Sequence, residues 1–458
     1  VGGISGDFGK IIGSAVIADI EVQARTATVS GLARFLHSGV DAYVIGAENC
    51  YTSVNMRVEA ENADIYGTCN VAADTVFTCS DSIFTLNGAA TDGERVNAFV
   101  LREELASPDW LADHIPLMRT KDWTIEAGFP VPGARELQTI EIGSQEAFLA
   151  LSGKNFCERY VLKTDINLSG IDWSPAGVFG EFDGGGHTIA GFGINAVTER
   201  GNERIAGFFS NNYGTICNLV LQDMSQMIYT TSPDDGSIPT VYAGGIAAKN
   251  YGTIYACKTT GKITVQAVNC HVYVGGIAGW NQGSIFSSYT ECTLTGVAGE
   301  GERNTYSARG IIRLGGIVDA CVNGIAYNDG GVISGCYTKG VYTANGTRYL
   351  SVAGVAENAE RSFSLADLNY RDIGAKQGAK IGYVCEVAKG LQGCASQEIN
   401  GVASTTGIQE DFLKDSRYLT DVVGMRLYLS QEALAQDFEA AWVFADDGDV
   451  FLKLYFEA

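Results

Sequence analysis

Two stretches, "AGGIAAKNYGTIYACKTTGKI" (243–263) and "VGGIAGWNQGSIFSSYTECTL" (274–294), decide the fold. They are nearly the same sequence, and Gly245 precedes its counterpart Gly276 by 31 residues. "AGFFSNNYGTICNL" (206–219) and the looser "GGIVDACVNGIAYNDGGVISGC" (315–336) share the pattern small-Gly-apolar, then Asn, Gly and an apolar residue two positions on. Weaker copies begin at 352 and at 2. Repeats of about 20–50 residues are typical of solenoids, in which each unit covers the apolar face of the next.

The residues between the glycines favour strands over helices. "KITVQAV", "HVYVGGI" and "GVYTA" are short runs of β-branched and aromatic residues that end at Gly or Asn, and such residues favour strands and sharp corners respectively. No amphipathic helix of 12 or more residues is indicated between 180 and 350. The sequence therefore predicts an all-β fold, a right-handed parallel β-helix, with short helices only at the edges of its modules.

This fold predicts which residues stack. Four isoleucines each follow a corner glycine by two residues and should form one buried column: Ile216, Ile254, Ile285 and Ile333. Three asparagines should lie at the corner and satisfy backbone groups of the turn: Asn212, Asn250 and Asn281. We expect an outward loop near 266–271 and an exposed Lys258 whose replacement by alanine has almost no effect. Cys257 and Cys336 should be two strands apart, about 10 Å, too far for a disulfide.

Helix signals mark two modules. Ser144 and Ser107 are candidate N-caps, Ser107 with Pro108 after it, and "TTGIQEDFLKD" (405–415) offers a capping-box spacing. The predicted helices at 106–115 and 405–415 are each followed by a tryptophan, Trp123 and Trp442 respectively, and by an apolar segment that ends the module. We therefore predict that 1–133 is the C-terminal part of a first β-helix module, and that 134–458 is a second, complete module with a C-terminal cap.

Composition excludes several classes of partner. With 31 Lys and Arg against 53 Asp and Glu, the net charge is −22, so nucleic acid and anionic membrane surfaces are not expected as partners. No apolar run approaches the roughly 20 residues of a membrane span, so we expect no membrane insertion. The opening "VGGISGDFGKI" resembles the middle of a repeat, and we expect the chain to be a piece of a longer protein.

At these repeats the sequence resembles the GLUG-repeat family of bacterial surface proteins. Residues 244–260 and 275–290 fit the family motif closely, and the lead-in at 160–194, with "DINLSG" and "FDGGGHTI", resembles the segment that precedes such repeats. The resemblance implies a secreted, surface-displayed β-helix, found in adhesin-like proteins and as an accessory region of some secreted peptidases. It brings no catalytic residues with it. Residues 46–79 depart from the motif.

The residues give little sign of chemistry. The chain has no HExxH, no GxSxG and no P-loop. His187 follows three glycines, and we interpret it as part of a turn stabilised by Asp183, with catalysis as the alternative. The acidic stretches 232–237 and 445–450 are interpreted as solvated turns in preference to calcium sites. The sequence therefore predicts no catalytic, cofactor-binding or metal residues and no cofactor.

Trp280 is the best indication of a contact surface. It replaces Lys249 of the preceding repeat, and Tyr251 and Tyr255 lie nearby in sequence. Packing beneath a neighbouring segment explains the exchange equally well.

The twelve cysteines define no disulfide framework. Most are expected to be buried and unpaired, with Cys69/Cys79 and Cys385/Cys394 as alternatives for local bridges.

These observations favour a non-catalytic, extracellular region of a large bacterial surface protein, acting in adhesion or as a stiff spacer. Its ligand would be a glycan or a host or cell-surface protein, and self-association is compatible with the fold. Two alternatives stay open. One is a polysaccharide-active enzyme on the same fold, which would need carboxylates and Lys or Arg converging in one groove. The other is a self-assembling structural fibre.

Overall fold

The computed structural model describes residues 10–32, 46–68, 75–91, 98–195, 197–200, 202–233, 238–299, 302–307, 310–315, 319–323, 325, 327–346, 349–356, 359–372, 379–382, 398–399, 402–403, 420, 425–444 and 452–457. The chain divides into two units, Val1–Gln138 and Thr139–Ala458, so the division lies close to the boundary predicted after residue 133. Both units are built mainly of β-strands that pair in parallel, which confirms the all-β class. Among the described residues, no helix has the length and apolar character needed to cross a membrane.

Unit 2 is organised by four parallel sheets, through which the chain passes repeatedly. We call one passage a coil. Coil 1 spans 203–231, coil 2 spans 240–268, coil 3 spans 271–299 and coil 4 spans 319–346, and each gives one strand to every sheet. Coil 5, from residue 349, continues two of them with Tyr349–Ala353 and Phe363–Asp372.

The strands of the four sheets have the following bounds. The isoleucine sheet contains Thr139–Ile142, Arg159–Leu162, Glu181–Asp183, Thr215–Cys217, Thr253–Tyr255, Ser284–Phe286 and Val332–Ser334. The long-strand sheet contains Ile166–Asn167, Thr188–Ala190, Gly193–Ile194, Val220–Thr231, Lys258–Val268, Tyr289–Gly299, Tyr337–Gly346, Phe363–Asp372, Glu398–Ile399 and Val402–Ala403. The asparagine sheet contains Phe209–Asn212, Ala247–Asn250, Ala278–Asn281 and Tyr327–Asn328. The fourth sheet contains Thr198–Arg200, Glu203–Ala206, Thr240–Gly244, His271–Gly275, Asp319–Asn323, Tyr349–Ala353 and Ala379–Gly382.

The predicted isoleucine column is confirmed. Ile216, Ile254, Ile285 and Ile333 are partners on successive parallel strands, and each is at most 1% exposed. They belong to one continuous core of unit 2. Because the side chains of a strand alternate between its faces, the residues on either side of each isoleucine point away from this core.

The corner glycines are required for a different reason from the one the sequence suggested. Gly214, Gly252 and Gly283 do not have the left-handed backbone. A Cβ on Gly252 would instead lie 2.1 Å from the carbonyl oxygen of Gly214, and one on Gly283 would lie 2.1 Å from that of Gly252. Neighbouring coils therefore approach too closely at this corner for any side chain.

The left-handed residues occupy the next corner, between the isoleucine and long-strand sheets. Successive coils place residues with φ between +40° and +66° at equivalent positions: Asn218, Ala256, Ser287, Gly335 and Arg361. The residue that follows each of them is buried in all five coils: Leu219, Cys257, Ser288, Cys336 and Ser362. Cys257 and Cys336 are free and two coils apart, as predicted.

Three sequence predictions about the coils are wrong. No loop leaves the coil at 266–271, because only Asn269 and Cys270 lie between the strands Lys258–Val268 and His271–Gly275. The glycine pair of coil 4 is not at 315–316, since Gly275 pairs with Asn323 and Ile277 donates its N–H to Ile325 O. Gly315 instead ends an antiparallel hairpin, Glu302–Ser307 with Gly310–Gly315, inserted before coil 4. Lys258 is half-buried and ion-paired.

The helices of unit 2 are short. Ser144 caps Gln145–Leu149 by accepting the N–H of Ala147, as predicted, while the predicted helix at 405–415 lies outside the described residues. The sequence analysis missed Gln431–Gln436, capped by Ser430. This helix, the antiparallel pair Trp442–Phe444 with Leu452–Leu454, and a 3₁₀ turn at Tyr455–Glu457 lie along the sides of the coils. The predicted terminal cap is therefore, in its described part, a lateral element.

Unit 1 contains the strands Lys10–Ile12, Ala15–Gln23, Thr26–Ser30, Gly46–Glu48, Cys50–Glu59, Asn62–Tyr66, Val76–Cys79, Ile83–Leu86, Ala89–Ala90, Phe99–Val100, Trp123–Glu126 and Phe129–Pro132. Ala15 to Gln23 pair in parallel with Tyr51 to Glu59. The helices Arg102–Leu105 and Pro108–His114 precede a 3₁₀ turn at Pro116–Arg119. Ser107 caps the second helix as predicted, and Pro108 is its first residue.

Candidate binding surface

Tyr251 and Trp280, the aromatic residues singled out in the sequence, lie together beside the asparagine sheet. Trp280 pairs with Lys249 of the preceding coil, and its ring lies 5.5 Å from that of Tyr251 in an edge-on geometry. Tyr251 in turn stacks on Tyr213 at 4.7 Å, and Tyr213 stacks on Phe179 at 5.2 Å. Tyr213, Tyr251 and Trp280 are partly exposed, whereas Phe179 is buried.

Three more tyrosines extend this surface across the fourth sheet. Tyr242 stacks on Tyr273 at 5.6 Å, and Tyr273 lies 4.6 Å from Tyr327. We call the whole set the aromatic face: Phe179, Tyr213, Tyr242, Tyr251, Tyr273, Trp280 and Tyr327. Tyrosine and tryptophan are enriched where proteins contact ligands. A surface of this kind is therefore suited to binding, although stacked rings offer few open faces.

Lys249 explains why tryptophan replaces lysine in the next coil. Its Nζ lies 4.8 Å from the ring centre of Trp280 and 5.0 Å from that of Tyr242, and it pairs with Glu203 at 2.8 Å. Lys249 is only 5% exposed, so the ammonium needs both the carboxylate and the negative ring faces. Trp280 thus packs over the buried ammonium of Lys249, which is the packing alternative that the sequence left open.

Burial also changes the acidity of this surface. It raises the pKa of Tyr242 to about 12, an effect that the nearby Lys249 ammonium only partly opposes. The Tyr242 hydroxyl therefore stays protonated well above neutral pH. The aromatic face can act as a neutral, hydrogen-bonding contact surface.

Tyr255 does not belong to the aromatic face. It lies on the outer side of the isoleucine sheet, where its ring stacks on Phe438 at 4.5 Å. Burial, followed by the neighbouring Cys217, raises the pKa of Tyr255 far above its ordinary value. The grouping of Tyr251, Tyr255 and Trp280 in the sequence analysis is therefore only partly right.

His187 has a different partner from the one expected. Its Nδ1 lies 3.2 Å from Asp165 Oδ1, which also accepts the N–H of Thr188 at 2.9 Å. That backbone hydrogen bond is the main reason the pKa of Asp165 is lowered. Asp183 does stabilise the turn, because its Oδ1 accepts the N–H of Gly185 at 2.9 Å, but it does not orient the histidine.

The sequence analysis missed a polar cluster on the outer side of the isoleucine sheet. Ligand atoms of Glu181, Asp183 and Cys217 lie within 4.8 Å of one another, because these residues occupy neighbouring strands. Arg159 spans both carboxylates, at 2.9 Å from Glu181 and 3.3 Å from Asp183. Its hydrogen bond to Glu181 is the main reason its pKa is raised.

This cluster is poorly suited to a metal ion. Burial raises the pKa of Cys217 well above its ordinary value, so the thiol is protonated and a weak ligand. The carboxylates already have a guanidinium partner, and Asn218 Nδ2 donates to Asp183 Oδ1 at 3.0 Å. The arrangement is an internally satisfied ion-pair network. Residues 234–237 and 445–450, within the two acidic stretches, lie outside the described residues.

The cysteines that the structure describes show little sign of disulfide chemistry. Those that are free and buried include Cys79, Cys217, Cys257, Cys292 and Cys336. Cys79 is thus not bridged to Cys69, and Cys385 and Cys394 lie outside the described residues. Burial raises the pKa of Cys257 to about 12 and that of Cys292 to about 11, which makes both thiols unreactive at neutral pH.

Comparisons with known proteins add little. No family profile matches the chain, and no curated protein matches it. Among solved structures, a chain described as a "putative immunoglobulin A1 protease from Bacteroides ovatus" is similar over 69% of this chain and 92% of its own, with 15% sequence identity and a TM-score of 0.32. A similarity at this level carries no argument about fold or function.

Proposed function

We propose that the chain is a right-handed parallel β-helix of the GLUG-repeat type. In this proposal it serves as a non-catalytic, extracellular scaffold of a bacterial surface protein, a stiff spacer that also presents a contact surface for adhesion. The observation that carries the proposal is the unbroken stacking of identical residues in register, the isoleucine column above all. A scaffold needs repetition along its whole length, whereas a catalytic site needs a local departure from it.

The polar groups of unit 2 support a scaffold over an enzyme. The two carboxylates of the cluster, Glu181 and Asp183, are bound by Arg159, and Glu203 is bound by the buried Lys249. A glycosidase would instead need two carboxyl groups about 5–10 Å apart, open to a sugar between them. We assign adhesion to the aromatic face, and a glycan or a cell-surface protein as its ligand.

Binding without turnover is the expected experimental result. The purified chain is incubated with a glycan array and with immobilised cell-surface proteins, and separately with polysaccharides while reducing ends are counted. We expect binding that Tyr273→Ala lowers and that the distant, exposed Tyr229→Ala leaves unchanged, with no release of reducing ends. Release of reducing ends would overturn the scaffold proposal, and a crystal structure with left-handed coil connections would overturn the fold.

A further inference from the structure

The described parts of the C-terminal segment, 425–444 and 452–457, contact five successive coils on one side of unit 2. Its contacts all fall at the same corner of the coils. Tyr455 Oη donates to Asn218 Oδ1 in coil 1 at 3.0 Å, and Glu457 pairs with Lys258 of coil 2 at 3.0 Å and accepts from Tyr289 Oη of coil 3 at 3.0 Å. Trp442 Nε1 donates to Gly335 O in coil 4 at 2.8 Å, and Glu439 pairs with Arg361 of coil 5 at 2.8 Å. One segment thus connects coils that otherwise contact only their neighbours.

The surface beneath this segment is formed by one repeated corner. In coils 2, 3 and 4 a left-handed residue is followed by a small buried residue and then by Lys258, Tyr289 or Tyr337. Tyr289 stacks on Tyr337 at 4.5 Å, and Trp442 packs against both rings, at 5.9 and 5.3 Å. Trp442 is fully buried, so the corner column is the binding site for this tryptophan.

Unit 1 contains the same corner, which the glycine motif did not reveal. Asn49 is left-handed, with φ +53°, as is Gly335, with φ +66°. In both corners a buried cysteine follows and its Sγ lies near the carbonyl oxygen two residues before it: Cys50 at 3.1 Å from Glu48 O, and Cys336 at 3.4 Å from Ser334 O. Two residues after each cysteine, a threonine hydroxyl donates to a glycine carbonyl: Thr52 to Gly67 O at 2.8 Å, and Thr338 to Gly354 O at 2.6 Å.

The two tryptophan hairpins make the same hydrogen bond with these corners, although the ring stacked on Tyr51 is that of Phe129, whereas Trp442 itself packs on Tyr337. Trp123 pairs with Pro132, and Trp442 pairs with Leu454, each in an antiparallel hairpin. The tyrosine after each corner cysteine donates to a carbonyl oxygen on the second strand of the hairpin, two residues before the residue that pairs with the tryptophan. Tyr51 Oη lies 2.7 Å from Pro130 O, and Tyr337 Oη lies 3.5 Å from Leu452 O. Two regions with little sequence in common therefore use one docking geometry.

We propose that each tryptophan hairpin is a lateral clasp, which docks on the corner tyrosine of its own unit and prevents the stacked coils from separating. Units 1 and 2 are then two versions of one module, each closed by its own clasp. The inference deepens the proposed scaffold function and rests on it, because a spacer that bears tension fails first where coils part. In unit 2 the clasp is held by the buried Trp442 and by the ion pairs of Glu439 and Glu457.

Hydrogen exchange measured by mass spectrometry on the full chain tests the clasp. We expect Trp442→Ala to accelerate exchange at least tenfold in 253–260, 284–291 and 332–339, and to leave 50–59 of unit 1 unchanged. Phe444→Ala is the matched control, since Phe444 lies in the same hairpin but is 36% exposed, and it should leave those segments unchanged. Phe129→Ala, which removes the hairpin ring stacked on Tyr51, should produce the reverse pattern, with faster exchange only in unit 1.

Two results would overturn the inference. In one, Trp442→Ala accelerates exchange only within the hairpin itself, which would show that the hairpin does not stabilise the coils. In the other, exchange rises equally in both units. If Trp442→Ala does not fold, Glu457→Gln provides the milder change, with about threefold faster exchange expected at 258 and 289 and their neighbours. These exchange rates do not depend on ligand binding or turnover, so failure of the clasp and failure of the proposed function are distinguishable.

Discussion

Asn250 donates from Nδ2 to Oδ1 of Asn281 in the next coil at 2.7 Å, and both side chains are completely buried. Asn212 makes the same bond to Asn250 at 2.7 Å, and Asn281 makes it to Asn328 at 2.8 Å. The amides also bond to the turn backbone, as when Gly214 N donates to Asn212 Oδ1 at 3.2 Å. Each asparagine therefore satisfies its own corner and also bonds to the next coil.

Replacing Asn250 tests this ladder. Asn250→Ala leaves buried partners unsatisfied on both sides, so we expect a loss of about 1–3 kcal/mol in the free energy of unfolding. Asn250→Asp should cost more, because a carboxylate accepts but cannot donate. Urea unfolding followed by circular dichroism measures both losses. The exposed neighbour Gln282 is the control: Gln282→Ala should change stability by no more than about 0.5 kcal/mol, and an equal loss in the two alanine variants would contradict the ladder.

The isoleucine column predicts a severe effect at one position. Ile254→Asp places a carboxylate between Ile216 and Ile285, without a partner in the core, and should unfold at least coils 1 to 3. Ile254→Val, which removes one methylene group, should cost only about 0.5–1.5 kcal/mol. Limited proteolysis distinguishes the two. Resistance of Ile254→Asp to cleavage across 206–294 would show that this position is not in the core.

The structure reverses the expectation for Lys258. Its ammonium pairs with Glu457 and lies 4.9 Å from the ring centre of Tyr289, and the charged side chains are 21% and 18% exposed. Lys258→Ala should therefore lower the free energy of unfolding by about 1–2 kcal/mol, between the values typical of exposed and of buried ion pairs. A double-mutant cycle with Glu457→Gln gives the coupling. The exposed Lys262→Ala is the control, and additive losses at Lys258 and Glu457 would show that the pair contributes nothing.

Ala256 offers a stabilising change. Its φ of +50° costs an L-residue roughly 1–2 kcal/mol, whereas glycine adopts this conformation freely but loses about 0.5–1 kcal/mol of chain entropy. Ala256→Gly should therefore raise stability by about 0.5 kcal/mol, seen as a higher melting temperature. Ala267→Gly, in the strand that follows, should lower it. A loss in both variants would mean that the methyl group of Ala256 contributes more than its backbone strain.

The buried thiols predict a loss of stability at alkaline pH. Burial raises the pKa of Cys257 and of Cys336 from 9.0 to about 12, so the folded state retains protons that the unfolded state releases. Their contribution is complete below pH 9 and is lost as pH rises from 9 towards 12. Melting temperatures measured between pH 8 and 11 should fall less steeply in the double variant Cys257→Ser, Cys336→Ser. Serine fits, because Ser288 occupies the same position in coil 3. Rapid thiol labelling of the folded protein at pH 8 would contradict the burial.

The columns could be predicted from the sequence because stacking requires identical residues at a fixed interval. Ile254 and Ile285 occupy the same strand position in adjacent coils, so the 31-residue repeat alone brings them together. The same holds for Asn250 and Asn281. Where one residue of the motif varies, the prediction failed: Asn323 occupies the position of Gly275 in coil 4, whereas the nearby Gly315, which matches the motif in the sequence, ends a separate hairpin.

The polar cluster and the clasp could not be predicted, since both depend on residues that are distant in sequence. Arg159 meets Asp183 because their two strands pair in parallel, and nothing in the sequence near Arg159 indicates this pairing. The corner in unit 1 did carry a signal that was overlooked. "NCYT" (49–52) and "GCYT" (335–338) differ only in the left-handed residue, and a search for a motif centred on cysteine and tyrosine would have linked the two units.

The junction between the long-strand sheet and the fourth sheet tolerates additional chain. Residues 232–239 connect coils 1 and 2 there, residues 269–270 connect coils 2 and 3, and the hairpin Glu302–Ser307 with Gly310–Gly315 lies between coils 3 and 4. Val274 still pairs with Val322 although the hairpin lies between them in the sequence. An insertion at this junction therefore leaves the register of the stacked strands unchanged. This point on the coil is consequently where the fold can acquire new loops without refolding, and where an engineer would place an epitope, a fluorophore or a second domain.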